Sequence, residues 1–422
     1  MNSFTTQSSC ADTNELGSLS AQQALNNMLQ AIDEKAGDEL VPLTEAVDRI
    51  LAEPIRSTID VPAHRNSAVD GYAIMQDDLA KADQLSSLLV IGQVVAGHPE
   101  HSPLQLGQAI QIMTGAKMPN NADTVIMQEH VKRDGQTICF DARHRAGQNV
   151  RQAGEDIQRG EVVLAAGIKL SPAQIGLIAS LGRAEIRVKA ALSVALFSTG
   201  DEILNIGEAP REACIYDSNR YSLSAALRKL GCKVLDMGII PDHPEQLREA
   251  FQLAAANADI IFTSGGVSVG EADYTKQILA ETGQVDFWKV AIKPGRPIAF
   301  GHIDEAVFFG LPGNPVAVMV TFYQFALPCL EKLMGLSQPL LHPSIEVKCS
   351  QPIAKRVGRT EIQRGILSQQ LDGSWQVKTA GKQGSGILRS MSEANAFIIL
   401  QHERGPVKAD EYVTVQTFSG LF

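Results

Sequence analysis

The stretch Ile260-Ile261-Phe262-Thr263-Ser264-Gly265-Gly266-Val267-Ser268-Val269-Gly270 decides the fold. A short apolar run bounded by glycines reads as a buried strand, and here it opens into a glycine loop followed by the helical pattern Asp273–Glu281. The same order recurs on both sides. Ser193–Phe197 runs into Thr199-Gly200-Asp201-Glu202 and then the helical Asn219–Leu230. Val234–Ile240 runs into Pro241-Asp242 and then Pro244–Ala256. Val307–Gly310 runs into Leu311-Pro312-Gly313-Asn314 and then Pro315–Leu330. Strand–helix alternation of this kind predicts a doubly wound, mostly parallel sheet. Ligands of such sheets bind beyond the carboxyl ends of the strands, so the four loops should share one rim.

Outward from this α/β domain the patterns change. After Pro339 short strands return at Ser344–Cys349, Glu361–Leu367, Trp375–Thr379, Phe397–Gln401 and Tyr412–Thr417, which predicts a C-terminal β-barrel or sandwich. Between Val61 and Phe140, strands such as Leu88–Val95, Ala109–Met113 and Thr124–Gln128 are broken by Gly and Pro, the pattern of a β-rich module. Ser20 with Gln23 forms a capping box for a helix whose face carries Ala24, Leu25, Met28, Leu29 and Ile32. Ser171, Pro172 and Gly182 frame another helix. The expected architecture is therefore α/β plus β and multidomain: a discontinuous linker domain (20–57 and 146–189), an inserted β-rich module (58–145), the α/β domain (190–338) and the C-terminal barrel (339–422).

Composition supports a folded, multidomain chain. The protein has 422 residues, 44% hydrophobic and 20% charged, with a formal charge of −10. At about 100–200 residues per domain, that length predicts two to four domains. The acidity argues against broad contact with nucleic acid or an anionic membrane, while leaving room for one basic pocket. The longest apolar run, Val316–Leu330, is interrupted by Thr321, Gln324 and Pro328 and reads as a buried helix rather than a membrane span. Met1–Ser20 lacks the basic-then-apolar order of a signal peptide. The six cysteines are scattered without C-x-x-C spacing, which predicts reduced thiols in the cytosol.

The chemistry should lie on the rim. Glycines at 265, 266 and 270 let backbone N–H groups approach a phosphate, and the following helix adds its positive end. An empty tight turn is the other reading; Ser264, Ser268 and Asp273 in the same loop favour a ligand. Lys289, Lys293 and Arg296 fall within eight positions of an acidic chain, and the even spacing of the lysines puts both on one face of an extended strand. A solvated edge strand would look similar. Glu202, Asp242 and Asp273 reach the rim from three loops and suit Mg²⁺ next to phosphate, although each alone would serve as a helix cap. Asp70 and Thr114 lie in polar turns of the β-rich module. Arg356, Arg359 and Arg364 in the C-terminal module read as anion binders or as solvated surface.

Taken in order, NSAVDGYA (66–73), QIMTGAKMP (111–119), AGQNVRQAGEDI (146–157), ALFSTGDEI (195–203), IYDSNR (215–220), TSGGVSVGEADYTK (263–276), FWKVAIKPGRP (287–297), GLPGNPVA (310–317), EIQRG (361–365) and KQGSG (382–386) resemble the MoeA-type molybdopterin molybdenumtransferases, relatives of the gephyrin C-terminal domain. The resemblance implies a cytoplasmic homodimer that inserts molybdate into adenylylated molybdopterin with Mg²⁺-dependent release of AMP. It implies exchange with a molybdopterin adenylyltransferase and with molybdoenzyme maturation proteins. By the same resemblance, Thr199, Gly200, Ser264, Gly265, Gly266, Val267, Ser268, Gly270, Pro294, Pro312, Gly313 and Asn314 bind the ligand. Asp242 and Asp273 hold Mg²⁺, and Lys289 and Lys293 neutralise phosphate or molybdate. Glu202 shapes the site, and Asp70, Thr114 and Asp156 position substrate, the first two across a dimer interface. Arg364 and Ser385 face the cleft from the C-terminal domain. Arg296, Val69 and His64 depart from the residues usual in that family. A scaffold of gephyrin type and a nucleotide hydrolase sharing only the α/β domain are the alternatives.

Overall fold

The computed structural model describes residues 18–79, 84–99, 103–266, 277–279, 281, 283–338 and 344–418. The chain divides into two units, 1–39 with 189–422 and 40–188.

The first unit contains a six-stranded sheet of β1 (Ser193–Thr199), β2 (Lys233–Ile240), β3 (Ile260–Ser264), β4 (Gly283–Lys289), β5 (Pro297–Ile303) and β6 (Ala306–Leu311). Its order is β2-β1-β3-β6-β5-β4. β2, β1, β3 and β6 run parallel, as the alternating pattern predicts, whereas β5 is reversed and pairs antiparallel with both β6 and β4. The reversal comes from a hairpin: only Asp304 and Glu305 separate β5 from β6, and Asp304 adopts a φ of 49°.

Both faces of this sheet are covered. Successive side chains of a strand point to opposite faces. Leu196 enters one core with Phe262 and Phe309, and the next residue, Phe197, enters the other with Ile261 and Phe308. The first core is closed by α1 (Ala21–Gln30), α2 (Asn219–Lys229) and α4 (Pro315–Leu333), the second by α3 (Pro244–Asn257) together with Ile278 and Leu279. Phe262 stacks on Phe309 at 4.9 Å between ring centroids, and Phe251 meets Phe308 edge-on at 5.8 Å.

Helix α4 is long and apolar enough to span a bilayer, but its apolar side chains fill the core. A π-turn at Phe322–Ala326 precedes Pro328, whose ring and missing N–H cannot be fitted into a regular α-helical ladder. Helix α1 forms the expected capping box, with Gln23 N donating to Ser20 Oγ at 3.2 Å and Ser20 N to Gln23 Oε1 at 3.0 Å. Its apolar residues Ala24 and Met28, with Ile32 just beyond, pack in the α/β core. That differs from the expectation that the whole of 20–57 joins segment 146–189.

The C-terminal part of the same unit is a closed five-stranded barrel. Strands β7 (Ser344–Cys349), β8 (Thr360–Gln369), β9 (Trp375–Thr379), β10 (Ala396–Leu400) and β11 (Tyr412–Thr417) pair in the order β8-β9-β7-β11-β10, and β10 closes back on β8. The two-residue strand Ile292–Lys293 pairs with Thr360 and Glu361 at the start of β8, so the barrel is attached directly to the segment after β4.

The second unit carries a six-stranded sheet of short strands between Gly71 and Phe140, with apolar clusters on both faces. A separate core joins Val41, Leu51 and Ile55 to Ile157, Leu170, Ile178 and Leu181. The helix Pro172–Ser180 follows the Ser171 cap, as the sequence predicts.

Candidate functional site

The carboxyl ends of β1, β2, β3 and β6 open onto a cleft of about 520 Å³. One wall is the sheet rim: Thr199, Gly200 and Glu202, then Asp242, then Gly265 and Gly266, then Pro312, Gly313 and Asn314. The other wall is cationic and polar, with Lys293, Pro294, Gly295, Arg296, Arg359, Gln383, Gly384 and Ser385. The spatial convergence of loops separated by more than a hundred residues follows from the parallel topology.

Two glycines let the walls form. Gly265 has a φ of 94°, and a Cβ there would sit 2.6 Å from the Thr199 carbonyl oxygen, so only glycine allows the β1 and β3 loops to touch. Gly295 has a φ of 99°, and its Cβ would meet Thr321 Cγ2 at 2.5 Å. The barrel loop is hooked onto the start of α4, because Val316 N donates to the Ser385 carbonyl at 3.0 Å.

The acidic side of the cleft is under electrostatic tension. Burial holds the Asp242 carboxyl above its ordinary range, and the neighbouring Asp201 and Glu202 carboxylates push it further in the same direction. The Asp242 backbone N–H lies 3.4 Å from Asp201 Oδ1. Thr199 is buried beside these acids, and its Oγ1 has no hydrogen-bond partner. Among the described residues no three His, Cys, Asp or Glu side chains gather closely enough to cage an ion. Mg²⁺, however, is commonly held by one or two carboxylates plus phosphate oxygens and water. The oxygen donors of Asp242 and Glu202, with charge already in excess there, fit that chemistry.

On the cationic side, Lys293 Nζ stands 3.4 Å from Glu361 Oε1, with the lysine half exposed and the glutamate buried. Arg364 differs from the expectation that it faces the cleft. It is 1% exposed and donates to Ser390 Oγ at 3.0 Å, Lys382 O at 3.3 Å and Gly384 O at 3.1 Å. Burial pushes its guanidinium down to about 10. It therefore supports the Gln383–Ser385 loop from below. Lys289 differs as well. Strand β4 ends there, opposite Pro297, and Val290 bridges to Leu19, so Lys289 and Lys293 do not share one continuous strand. Lys289 is absent from the cleft lining.

Other expected residues lie elsewhere. Ser264 is buried directly behind the rim, its Oγ accepting from Asn219 Nδ2 at 2.8 Å. Val267, Ser268, Gly270 and Asp273 lie outside the described residues. Asp70 and Thr114 belong to the second unit and are bonded to each other: Asp70 Oδ1 accepts from the Thr114 backbone N–H and hydroxyl, both at 2.7 Å. Those bonds hold the Asp70 carboxyl below its ordinary range. Asp156, exposed in the same unit, donates its N–H to Val61 O at 3.0 Å. Arg359, read from the sequence as an anion binder or solvated surface, lines the cleft, and Gln383 is the lining residue that the sequence reading gave no role. The signal for Gln383 was position, because it stands second in the KQGSG loop beside Gly384 and Ser385.

A glycine-turned α/β rim facing Lys293, Arg296 and Arg359, with an attached barrel, defines the class: a multidomain α/β and β-barrel protein whose cleft suits phosphorylated or other oxyanionic groups. Three family profiles match this chain along its length: MoeA N-terminal region (domain I and II) over residues 19–182, probable molybdopterin binding domain over 195–332, and MoeA C-terminal region (domain IV) over 346–418. A molybdopterin molybdenumtransferase of Haemophilus influenzae is 44% identical over 405 residues, covering 96% of this chain and 99% of that protein. The gephyrin of Dictyostelium discoideum is 31% identical over 460 residues, covering 96% of this chain and 63% of that protein. The crystal structure of a molybdopterin biosynthesis moeA protein from Pyrococcus horikoshii superposes with a TM-score of 0.83 at 30% identity, covering 95% and 100% of the two chains. The chain belongs to the molybdopterin molybdenumtransferase family.

Proposed function

We propose that this transferase of molybdenum-cofactor biosynthesis accepts adenylylated molybdopterin, inserts molybdate at the dithiolene and releases AMP. The observation that carries the reading is the two-sided cleft, in which a carboxylate rim at Glu202 and Asp242 faces Lys293, Arg296 and Arg359 across glycine turns. A phosphoanhydride and a molybdate dianion both need cations and backbone donors, and a cleft with acids on one side takes them together with a divalent metal.

The residues divide the work by charge. Gly265, Gly266 and Gly313 let the backbone approach the phosphates. Lys293, with the two arginines, offsets negative charge growing on the departing AMP phosphate. Thr199 lines the cleft beside these glycines. Asp242 and Glu202 would hold Mg²⁺, with Asp273 as the further ligand implied by resemblance. The metal, when bound, supplies charge neutralisation at the phosphate oxygens. Ser385 closes the barrel side of the cleft. In this reading the protein acts as a cytoplasmic homodimer in which Asp70, Thr114 and Asp156 position substrate, the first two in the partner's cleft. A molybdopterin adenylyltransferase supplies the substrate, and molybdoenzyme maturation proteins take the product.

The test is release of AMP from adenylylated molybdopterin by the purified full chain, followed by chromatography. Release that requires both molybdate and Mg²⁺ is the expected result. Release that ignores molybdate, or equal cleavage of a plain dinucleotide, would replace this reading with a nucleotide hydrolase. No release, together with a stoichiometric protein partner, would favour a scaffold.

A further inference from the structure

Helix α2 begins with a side chain that joins two of the cleft's loops. Asn219 Nδ2 donates to Ser264 Oγ at 2.8 Å and to the Gly313 carbonyl at 2.7 Å. Ser264 ends β3 just before Gly265 and Gly266, and Gly313 lies between Pro312 and Asn314. The amide orientation is fixed by chemistry, since a carbonyl oxygen can only accept and therefore must face the NH₂ group. Both amide hydrogens are used, one on each loop. Asn219 Oδ1 is buried and has no partner.

The two loops share one backbone bond, Gly265 N to Leu311 O at 3.2 Å. The Asn219 amide adds a second tie, from Ser264 at the end of β3 to the Gly313 carbonyl two residues beyond Leu311. It is held from its own side as well. The following residue, Arg220, is bound to Asp217, Asp236 and Asn205, which fixes the first turn of α2 against the sheet edge. Asn219 itself does not line the cleft.

We propose that Asn219 is a positioning residue for the proposed transfer reaction: its amide sets the gap between the Gly265–Gly266 rim and the Pro312–Gly313–Asn314 rim on which the phosphorylated ligand seats. The ligand's identity rests on the functional reading above; the clamp does not. Asn219→Asp is the sharpest variant, because it keeps size and shape but removes both donors and sets a carboxylate oxygen against the Gly313 carbonyl. Misplacing one rim by about an ångström costs on the order of tenfold to a hundredfold in rate.

The experiment compares wild type, Asn219→Asp and Asn219→Ser as full-length proteins, the serine variant keeping one donor and no charge. The expected result is a drop in kcat of about tenfold or more for Asn219→Asp, larger than any change in KM, with Asn219→Ser intermediate. Both kinetic constants within twofold of wild type in either folded variant would overturn the proposal. If the aspartate variant does not fold, the serine variant decides. If wild type releases no AMP, the functional reading fails and amide hydrogen exchange decides the clamp by itself. Faster exchange of the Gly265 amide in Asn219→Ser supports it, and unchanged exchange overturns it.

Discussion

Lys293 and Glu361 meet at 3.4 Å where the two-residue strand after β4 pairs with β8 of the barrel. The pair is unequal: the lysine side chain is 56% exposed and the glutamate 7%. Glu361 also accepts from Gln363 Nε2 at 3.1 Å, so it does not depend on the lysine for a partner. A half-exposed ion pair contributes little to stability, typically below about 1 kcal/mol. Lys293→Ala is therefore expected to move the melting temperature by no more than about 2 °C. Loss of a charged contact to the ligand should weaken substrate binding about tenfold or more. Calorimetric melting and titration with substrate check both; a large stability loss with normal turnover would make Lys293 structural.

Asp242 yields a prediction with a definite sign. Burial, with Asp201 and Glu202 beside it, raises its folded-state pKa above the unfolded value. The folded state then binds the proton more tightly, so stability falls as pH rises from the ordinary carboxylate range through the raised value. Asp242→Asn removes that penalty. It should raise the melting temperature at pH 7 by roughly one or two degrees, with the difference vanishing near pH 4. The same variant should lose molybdate-dependent AMP release. Wild type should gain stability from added Mg²⁺ at pH 7 and less of it at pH 5, while the variant gains little at either. An equal Mg²⁺ response in both proteins would remove Asp242 from the metal site.

How much of this could be read from the sequence depends on how local each feature is. The rim at Thr199, Asp242, Gly265 and Gly313 was legible because each apolar run ends in a turn whose glycine, proline or acid has no role inside a strand. The five barrel strands were legible for the same reason. The relation of Lys289 to Lys293 was not, because even spacing assumes one continuous strand. Leu19, some 270 residues away in sequence, bridges to Val290 and ends that strand. Arg364 was misread for a related reason. Residues Glu361–Gly365 are buried without alternation, since this part of β8 is covered on both sides.

That burial makes Arg364 a test of support rather than of contact. Its guanidinium holds the carbonyls of Lys382 and Gly384, the residues flanking Gln383 in the loop that ends at Ser385. Gln383 in turn bonds the Arg364 backbone at both its N–H and its carbonyl. Arg364→Lys keeps the charge but not the planar fork, and one ammonium cannot reproduce the three contacts in the same directions. It should destabilise the protein by roughly 2 kcal/mol and lower kcat through a loosened Ser385 loop. Urea unfolding and steady-state kinetics measure the two effects. Wild-type values for both would show that the loop holds its shape without the arginine.

The strongest stability prediction concerns Arg220. Its Nε lies 3.0 Å from Asp217 Oδ2, and its Nη1 contacts both Asp236 oxygens at 2.5 and 2.6 Å. The guanidinium also sits 4.8 Å from the Tyr221 ring centroid. The side chains of Arg220 and Asp217 are 6% and 2% exposed. A buried ion pair is weak evidence of net stability, but removing one partner strands the other charge. Arg220→Ala leaves the Asp217 carboxylate deeply buried without its cation, which should cost about 3–5 kcal/mol. Replacing both residues, Arg220→Leu with Asp217→Asn, should recover a substantial part of that loss, because no ion is then left buried. Chemical denaturation of the two variants and of wild type tests this. A double variant as unstable as Arg220→Ala would mean that the hydrogen bonds to Asp236 and Asn205, rather than the stranded carboxylate, hold the start of α2 in place.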